Sequence, residues 1–500
     1  MTTLSRRGFL AGLGAGAACC GWSAEPAKVR PNILFIMSDD HASHAISAYD
    51  DRLIQTPHLD RLAKEGCLFT RVFATNAICT PSRASILTGQ YSHVNGVPVF
   101  NKLDPSKITV AHRLQRAGYY TVMIGKWHLG SDPQGFDHWE ILPGQGAYFD
   151  PVLYTREGSK RYVGEYCTDV VTRLAIERLR TRPKDRPFFM MMHHKAPHRP
   201  WQPAPRHNVI WHNKTIPEPS TLFDTYVGRA DPIREQKQSI ARDLTKTDLK
   251  EDVPEGLVGD ARTRWCYQRY MQDYLGCIQG VDESVGRILD ELDALGLAEN
   301  TVVIYTSDQG FFLGDHGLYD KRFMYEESLK MPFLMRWPKG IRAGIRQNAL
   351  AINCDFAPTF LALAGEEIPR EMQGKSMVPL LGGTIPDGWR KSLYYRYYHD
   401  PGDHNTARHY GVRTETHKLI YFDKKDQWEC YDLTKDPEEL DNIYNDPAAQ
   451  PIVAALKAEL LRLKKELGDD DRYADSKEWP KASSYVKPPP PKKMSRSKDG

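Results

Sequence analysis

The sequence predicts an α/β protein. A large domain over 28–384 is expected to form a central sheet flanked by helices, and a smaller α+β subdomain over 385–468 to carry an antiparallel sheet. Three observations predict this. Four short, continuous apolar runs each end in a cluster of polar residues, as strands buried on both faces do when their carboxyl ends open onto a site. Stretches with apolar residues at helical spacing lie between them. Beyond Gly382-Gly383 the pattern changes to short alternating strands closed by one amphipathic helix.

The chain opens with Ser5-Arg6-Arg7-Gly8-Phe9-Leu10 and a run of small and apolar residues from Ala11 to Cys20. This reads as a twin-arginine export signal over 1–27, directing the protein to the periplasm or outside the cell. The apolar run is too short to span a bilayer, so no membrane span is expected. Cys19-Cys20 follows Ala17-Ala18 without the leucine of a lipoprotein box, and lipidation is not expected. The first strand, Pro31 to Ser38, runs into Asp39-Asp40-His41. Thr56-Pro57 starts a helix through Ala63. The second strand, Tyr119 to Ile124, runs into Gly125-Lys126-Trp127-His128, and the third, Pro187 to Met192, into His193-His194-Lys195-Ala196-Pro197-His198. The fourth, Thr301 to Ser307, runs into Asp308-Gln309-Gly310. Val281, Val285, Ile288, Leu289, Leu292 and Leu295 form a helical stripe stopped by Gly296. Residues 203–262 are polar and rich in Pro, Asp and Lys, which suits an insertion facing a substrate. Strands are expected at Tyr394–Tyr398, His409–Thr414, Lys418–Phe422 and Trp428–Leu433, a helix at Pro451–Leu467, and a disordered tail over 469–500.

Composition narrows the function. With 41% hydrophobic and 26% charged residues, the 500-residue chain has the makeup of a globular enzyme. A net charge of +3 is too balanced for a nucleic-acid partner, so anion binding must come from local clusters. Seven of the nine cysteines lie beyond the signal, with neither a disulfide framework nor a metal-ligand spacing.

The chemistry concentrates at Cys79-Thr80-Pro81-Ser82-Arg83. Thr80 can cap a helix whose first turn starts at Pro81, leaving Cys79 just outside its positive end with Arg83 one turn in. A nucleophile, an anion-binding helix end and a guanidinium fork thus converge. Asp39, Asp40, Asp308 and Gln309 form an all-oxygen set suited to a hard divalent cation, with Ca2+ favoured over Mg2+ and zinc disfavoured. Lys126, His128, His198 and Lys321 add cations and proton carriers. An ester of a tetrahedral oxyanion needs its oxygens neutralised, an in-line nucleophile and a proton for the leaving oxygen.

The run Cys79-x-Pro81-Ser82-Arg83 through Leu87-Thr88-Gly89 resembles the signature of the formylglycine-dependent sulfatases. Gly118 to His128 is similar to the second sulfatase signature. Ala196-Pro197-His198-Arg199-Pro200, Thr306 to Gly310 and Asp320 to Ser328 also resemble family blocks, so the likeness runs from about 30 to 445. It implies an alkaline-phosphatase-like central mixed sheet and a Cys79 oxidised to formylglycine by a transiently bound formylglycine-generating enzyme. The modified residue would join Asp39, Asp40, Asp308 and Gln309 around the metal. Its hydrate would attack sulfur, His198 or Lys321 would protonate the departing alcohol, and His128 would deprotonate the second hydroxyl to expel sulfate. Arg83 would hold the hydrate, and Lys126 and Lys321 the sulfate oxygens. Gln309 departs from the asparagine frequent in the family.

The blocks at His193–Arg199, Asp320–Ser328 and Arg408–Thr414 resemble the bacterial branch acting on N-acetylglucosamine-6-sulfate in glycosaminoglycans or mucin glycans. His316, Arg396, His404 and His409 are the candidate sugar-binding residues. The alternatives are a phosphatase or phosphodiesterase of the same superfamily and a catalytically silent carbohydrate-binding protein. The presence of Cys79 with every expected catalytic group argues against both.

Overall fold

The computed structural model describes residues 30–474. The expected export signal lies outside them, as does the tail beyond 474. Eleven strands build one sheet: β1 (Asn32–Ser38), β2 (Cys67–Phe73), β3 (Tyr120–Lys126), β4 (His138–Leu142), β5 (Val152–Thr155), β6 (Gly158–Arg161), β7 (Phe188–His193), β8 (Thr301–Ser307), β9 (Lys330–Arg336), β10 (Ile345–Gln347) and β11 (Ala351–Ile352). Their order is β10-β2-β9-β8-β1-β7-β3-β4-β5-β6, with β11 beside β2. The four apolar runs of the sequence are the adjacent parallel strands β8, β1, β7 and β3. Their carboxyl ends therefore meet at one edge. Strand β9 is antiparallel to β8 and β2, and β4-β5-β6 close the other side in antiparallel fashion, so the sheet is mixed.

Burial on both faces explains the continuous apolar runs. In β1, Ile33, Phe35 and Met37 point into one core while Leu34 and Ile36 point into the other, and β8 divides in the same way. The first layer holds the helices Cys79–Thr88, Val110–Arg116 and Phe356–Ala364. The second holds Pro57–Lys64, Cys167–Thr181 and the 36-residue helix Gly259–Ala294. That helix begins well before the apolar stripe at 281–295. Its amino-terminal half carries Tyr267, Tyr270 and Tyr274 as core residues, and these obscure the aliphatic period. Within 203–262 the chain forms short helices at Pro205–Trp211, Asp231–Glu235 and Lys246–Leu249.

A second sheet, β12 (Ser392–Tyr397), β13 (His409–Thr414), β14 (His417–Phe422) and β15 (Gln427–Asp432), is antiparallel throughout and packs against the helix Gln450–Glu466. Its apolar face merges with the first core layer. The turn before Cys79 is tied to it: Arg396 N–H donates to the Thr75 carbonyl at 3.1 Å, and Ala77 N–H to the Tyr395 hydroxyl at 3.3 Å. Disorder was expected from 469. Asp469 is instead buried, accepting from the Tyr394 hydroxyl at 2.6 Å and from Arg396 at 2.7 Å.

Candidate functional site

Three carboxylates and three cations meet at the carboxyl edge of the parallel strands. Asp39 and Asp40 leave β1, Asp308 and Gln309 leave β8, and Lys126 ends β3. The approach is tight enough to demand glycine beside them. A Cβ at Gly125, which has φ +96°, would collide with the His193 carbonyl oxygen, and one at Gly310 with that of Glu327. Asp40 (φ 65°), His128 (φ 56°) and Arg322 (φ 91°) are held in the left-handed region, a strain that persists only where the surroundings over-determine it.

Cys79 begins the helix Cys79–Thr88 rather than preceding it, with Ile78 at the cap position. Thr80 caps nothing. Its hydroxyl donates to the His128 carbonyl at 3.0 Å and so fixes the loop after β3 against the helix. The outcome brings Cys79 Sγ to 3.2 Å from His128 Nδ1. The thiol is 1% exposed, and burial pushes its pKa up to about 11, against the pull of Lys321. As an unmodified thiol it is a poor nucleophile at neutral pH.

Arg83 is the hinge of the ionic network. Its Nε donates to Asp308 Oδ2 at 3.0 Å, its Nη1 to the Lys126 carbonyl at 2.7 Å, and its Nη2 lies 3.7 Å from Asp39 Oδ1. Lys126 Nζ donates to Asp39 and to the Gln145 side-chain oxygen, and Lys321 Nζ to Asp40. His198 Nε2 stands 3.7 Å from Asp40 Oδ2. Burial raises the Asp40 carboxyl to about 6 despite Lys321. Burial also opposes charge on Asp308, yet Arg83, Lys126 and Lys321 outweigh it and hold the carboxyl below the usual range. Burial, with neighbouring cations, lowers His128 and His198 well below the ordinary imidazole, leaving both neutral at pH 7. Lys321 keeps its proton because Asp40 and Asp320 overcome the cost of burial.

The donor set fits a hard cation. Asp39 Oδ1 and Gln309 Oε1 are buried without a hydrogen-bond partner among the described residues, and Gln309 Nε2 donates to Asp40. Buried oxygens left unpaired beside two further carboxylates are the ligands that Ca2+ or Mg2+ requires. Asp39, Asp40 and His198 offer ligand atoms within 4.8 Å of one another.

A cavity of about 180 Å³ opens above Cys79, lined among others by Phe100, Gln145, Arg199, Asp320, Arg322 and His404. His404, at 2.8 Å from Asp320, is the one of the four candidate sugar-binding residues that lines it. The other three are tied up elsewhere. His316 is buried between Asp224 at 2.9 Å and Glu327 at 3.6 Å. Arg396 pairs with Asp469 and Asp471 and packs on Tyr398 and Tyr410. His409 sits in an aromatic cluster with Phe323, Tyr395, Tyr397 and Phe422. Several lining residues lie next to the motif residues in sequence. Arg199, Asp320 and Arg322 flank His198 and Lys321, and Gln145 follows β4, another parallel strand ending at the same edge. Phe100 lies in a loop and Asp403 opens a single 3-10 turn, with no pattern to mark either.

Residues 31–366 match the sulfatase family and residues 314–466 the C-terminal region of N-sulphoglucosamine sulphohydrolase. The chain belongs to the sulfatase family, which implies a bound metal and a formylglycine at Cys79. Among particular relatives, it is 45% identical to an N-acetylglucosamine-6-O-sulfatase of Bacteroides thetaiotaomicron, over 90% of this chain and 87% of that protein. It is 28% identical to an ulvan-active sulfatase of Formosa agariphila, over 90% and 84%. A solved structure of a protein in complex with its substrate D-glucosamine-2-N,6-O-disulfate superposes with a TM-score of 0.86 at 45% identity, covering 88% of this chain and 99% of that one.

Proposed function

We propose that this sulfatase removes the 6-O-sulfate of N-acetylglucosamine in sulfated glycans. The observation that carries the reading is the placement of Cys79, three carboxylates and three cations under a small polar cavity, in a chain 45% identical to an N-acetylglucosamine-6-O-sulfatase. Formylglycine at position 79 would supply a hydroxyl nucleophile toward sulfur, and Ca2+, which Asp39, Asp40, Asp308 and Gln309 would hold, would supply charge neutralisation. The chain's own residues do the rest. Arg83 keeps Asp308 oriented, Lys126 and Lys321 face the sulfate oxygens, and Lys321, which keeps its proton beside the neutral His198, delivers a proton to the departing 6-oxygen. His128, neutral and beside Cys79, accepts the proton that frees sulfate. Arg199, Asp320, Arg322 and His404 read the sugar. Because Cys79 is 1% exposed at the base of a narrow cavity that admits a small substrate but not a second enzyme, its oxidation precedes folding, and the Arg6-Arg7 signal then exports the folded enzyme.

The test is sulfate release from N-acetylglucosamine-6-sulfate, galactose-6-sulfate and a uronate-2-sulfate, and phosphate release from an aryl phosphate, with enzyme co-expressed with a formylglycine-generating enzyme. Release from the glucosamine sugar, abolished in Cys79→Ala and by chelation and restored by Ca2+, is expected. Preferential release from another sugar overturns the substrate, and full activity of Cys79→Ala overturns the site.

A further inference from the structure

A second, larger cavity of about 490 Å³ is lined by other residues and has no part in the chemistry above. Its volume falls within the range of roughly 300–1,000 Å³ found for small-molecule sites, whereas the cavity over Cys79 is smaller than that range. Two chain segments contribute to both, and a third contacts a residue of the first. Gln145 lines the first and Phe149 the second. Arg199 lines the first, and Gln202 and Pro203 the second. Asp248, which grips the Arg199 guanidinium at 2.5 and 2.6 Å, is followed two residues on by Lys250, which lines the second. From Arg199 to Gln202 the Cα atoms are at most about 11 Å apart.

The chemistry of the second cavity is that of an uncharged, hydroxyl-rich ligand with an apolar face. Its ionic groups cancel one another: Arg269 lies 2.8 Å from Asp273 and 3.1 Å from Glu251, and Lys250 lies 3.0 Å from Asp273. With two cations against two carboxylates, the floor holds no surplus charge for a second sulfate or a uronate. Phe149 is 42% exposed at the wall, held against Tyr166 at 5.4 Å. The side-chain amides of Gln202 and Asn208 make no hydrogen bond among the described residues. A ring to stack on, two free amides and a fixed polar floor match a pyranose, whose C–H face is apolar and whose rim is hydroxyls.

We propose that this cavity is an extension site for a neutral sugar of the glycan whose 6-sulfated N-acetylglucosamine occupies the first cavity. It makes the enzyme selective for a chain end over a free sulfated monosaccharide. The inference rests on the substrate reading given above.

Two probes separate it from that reading. One is 6-O-sulfated N-acetylglucosamine linked to lactose, compared with the sulfated monosaccharide. The other is the same trisaccharide without sulfate, followed by calorimetry on the mature enzyme. The wild type should turn over the sulfated trisaccharide with kcat/KM about tenfold above the monosaccharide. Phe149→Ala with Asn208→Ala should remove that advantage through KM, leave the monosaccharide rate unchanged, and weaken binding of the unsulfated trisaccharide. Loss of sulfatase activity on both sugars while the calorimetric effect persists overturns the substrate reading alone. Equal kcat/KM for the two sulfated sugars, or a double variant that binds the unsulfated trisaccharide as the wild type does, overturns the extension site.

Discussion

Arg83 shows how much one side chain carries in this site. It is 2% exposed and its fork is divided between Asp308, Asp39 and the Lys126 carbonyl, so it sets the spacing between β1, β3 and β8 at their ends. Removing one partner of a buried, hydrogen-bonded pair leaves the other uncompensated. Arg83→Met should therefore lower stability by about 3–5 kcal/mol in denaturant unfolding. Arg83→Lys keeps the charge but cannot reproduce the planar fork, and should recover stability while leaving sulfate release impaired. Gln145 acts on one atom, the Lys126 ammonium. A hydrogen bond to a charged group is worth about 1.5–3 kcal/mol of stability, so Gln145→Ala should lower the unfolding free energy by up to about that amount and reduce kcat/KM for sulfate release.

At the scale of elements, the join to the second sheet is ionic as well as apolar, since Glu326 pairs with Arg413 of β13 and Lys418 of β14, and a buried ionic cluster lies next to Glu326. His316 lies in the turn after β8 and faces Asp224, Glu327 and Arg229, with Asp315 next to it. Burial opposes its charge, but Asp224 and Glu327 raise its pKa to about 9. A histidine whose folded pKa exceeds the unfolded value contributes stability that is complete below about 6.5 and is lost as pH rises through about 9. Burial also raises Asp315 and Glu439 to about 7, so their contributions fade over lower pH with the same sign. The melting temperature should thus fall between pH 6.5 and 9. His316→Gln should be less stable at pH 6.5 and should flatten that fall, which thermal melts across the range would measure. A parallel alkaline fall in His316→Gln would remove His316 as its cause.

For the whole molecule, the apolar face of the second sheet is continuous with the first core layer. Leu393, Tyr394, Val412, Leu419 and Leu463 belong to the same cluster as Phe35, Phe69 and Phe356. The second sheet also holds the turn leading to Cys79. A chain ending at 384 loses a wall of that core, and should be recovered as an insoluble or molten product without cooperative unfolding. The full chain should unfold in a single transition; a soluble, cooperatively folded 30–384 fragment would show two independent units. Among the described residues no helix is long and apolar enough to cross a membrane.

The sequence by itself determined the four parallel strands, the edge at which their polar residues emerge and the motif around Cys79. These rest on local rules: a strand buried on both faces must be apolar throughout, and its next residues must leave the sheet at one end. The strand limits of the second sheet were legible for the same reason, since alternation and turn residues are read within one strand. Tertiary structure decided what long-range neighbours decide. Thr80 turned from a cap into a tether because the His128 carbonyl offered its hydroxyl a partner across the site. His316, Arg396 and His409 carry the side-chain types that bind sugars, yet each is consumed by a buried partner that no local pattern announces. Phe100, Gln145 and Asp403 reach the cavity only because separate loops fold over the same sheet edge. A residue's chemistry is written in its type, but whether that chemistry is free to act depends on which distant groups the fold brings against it.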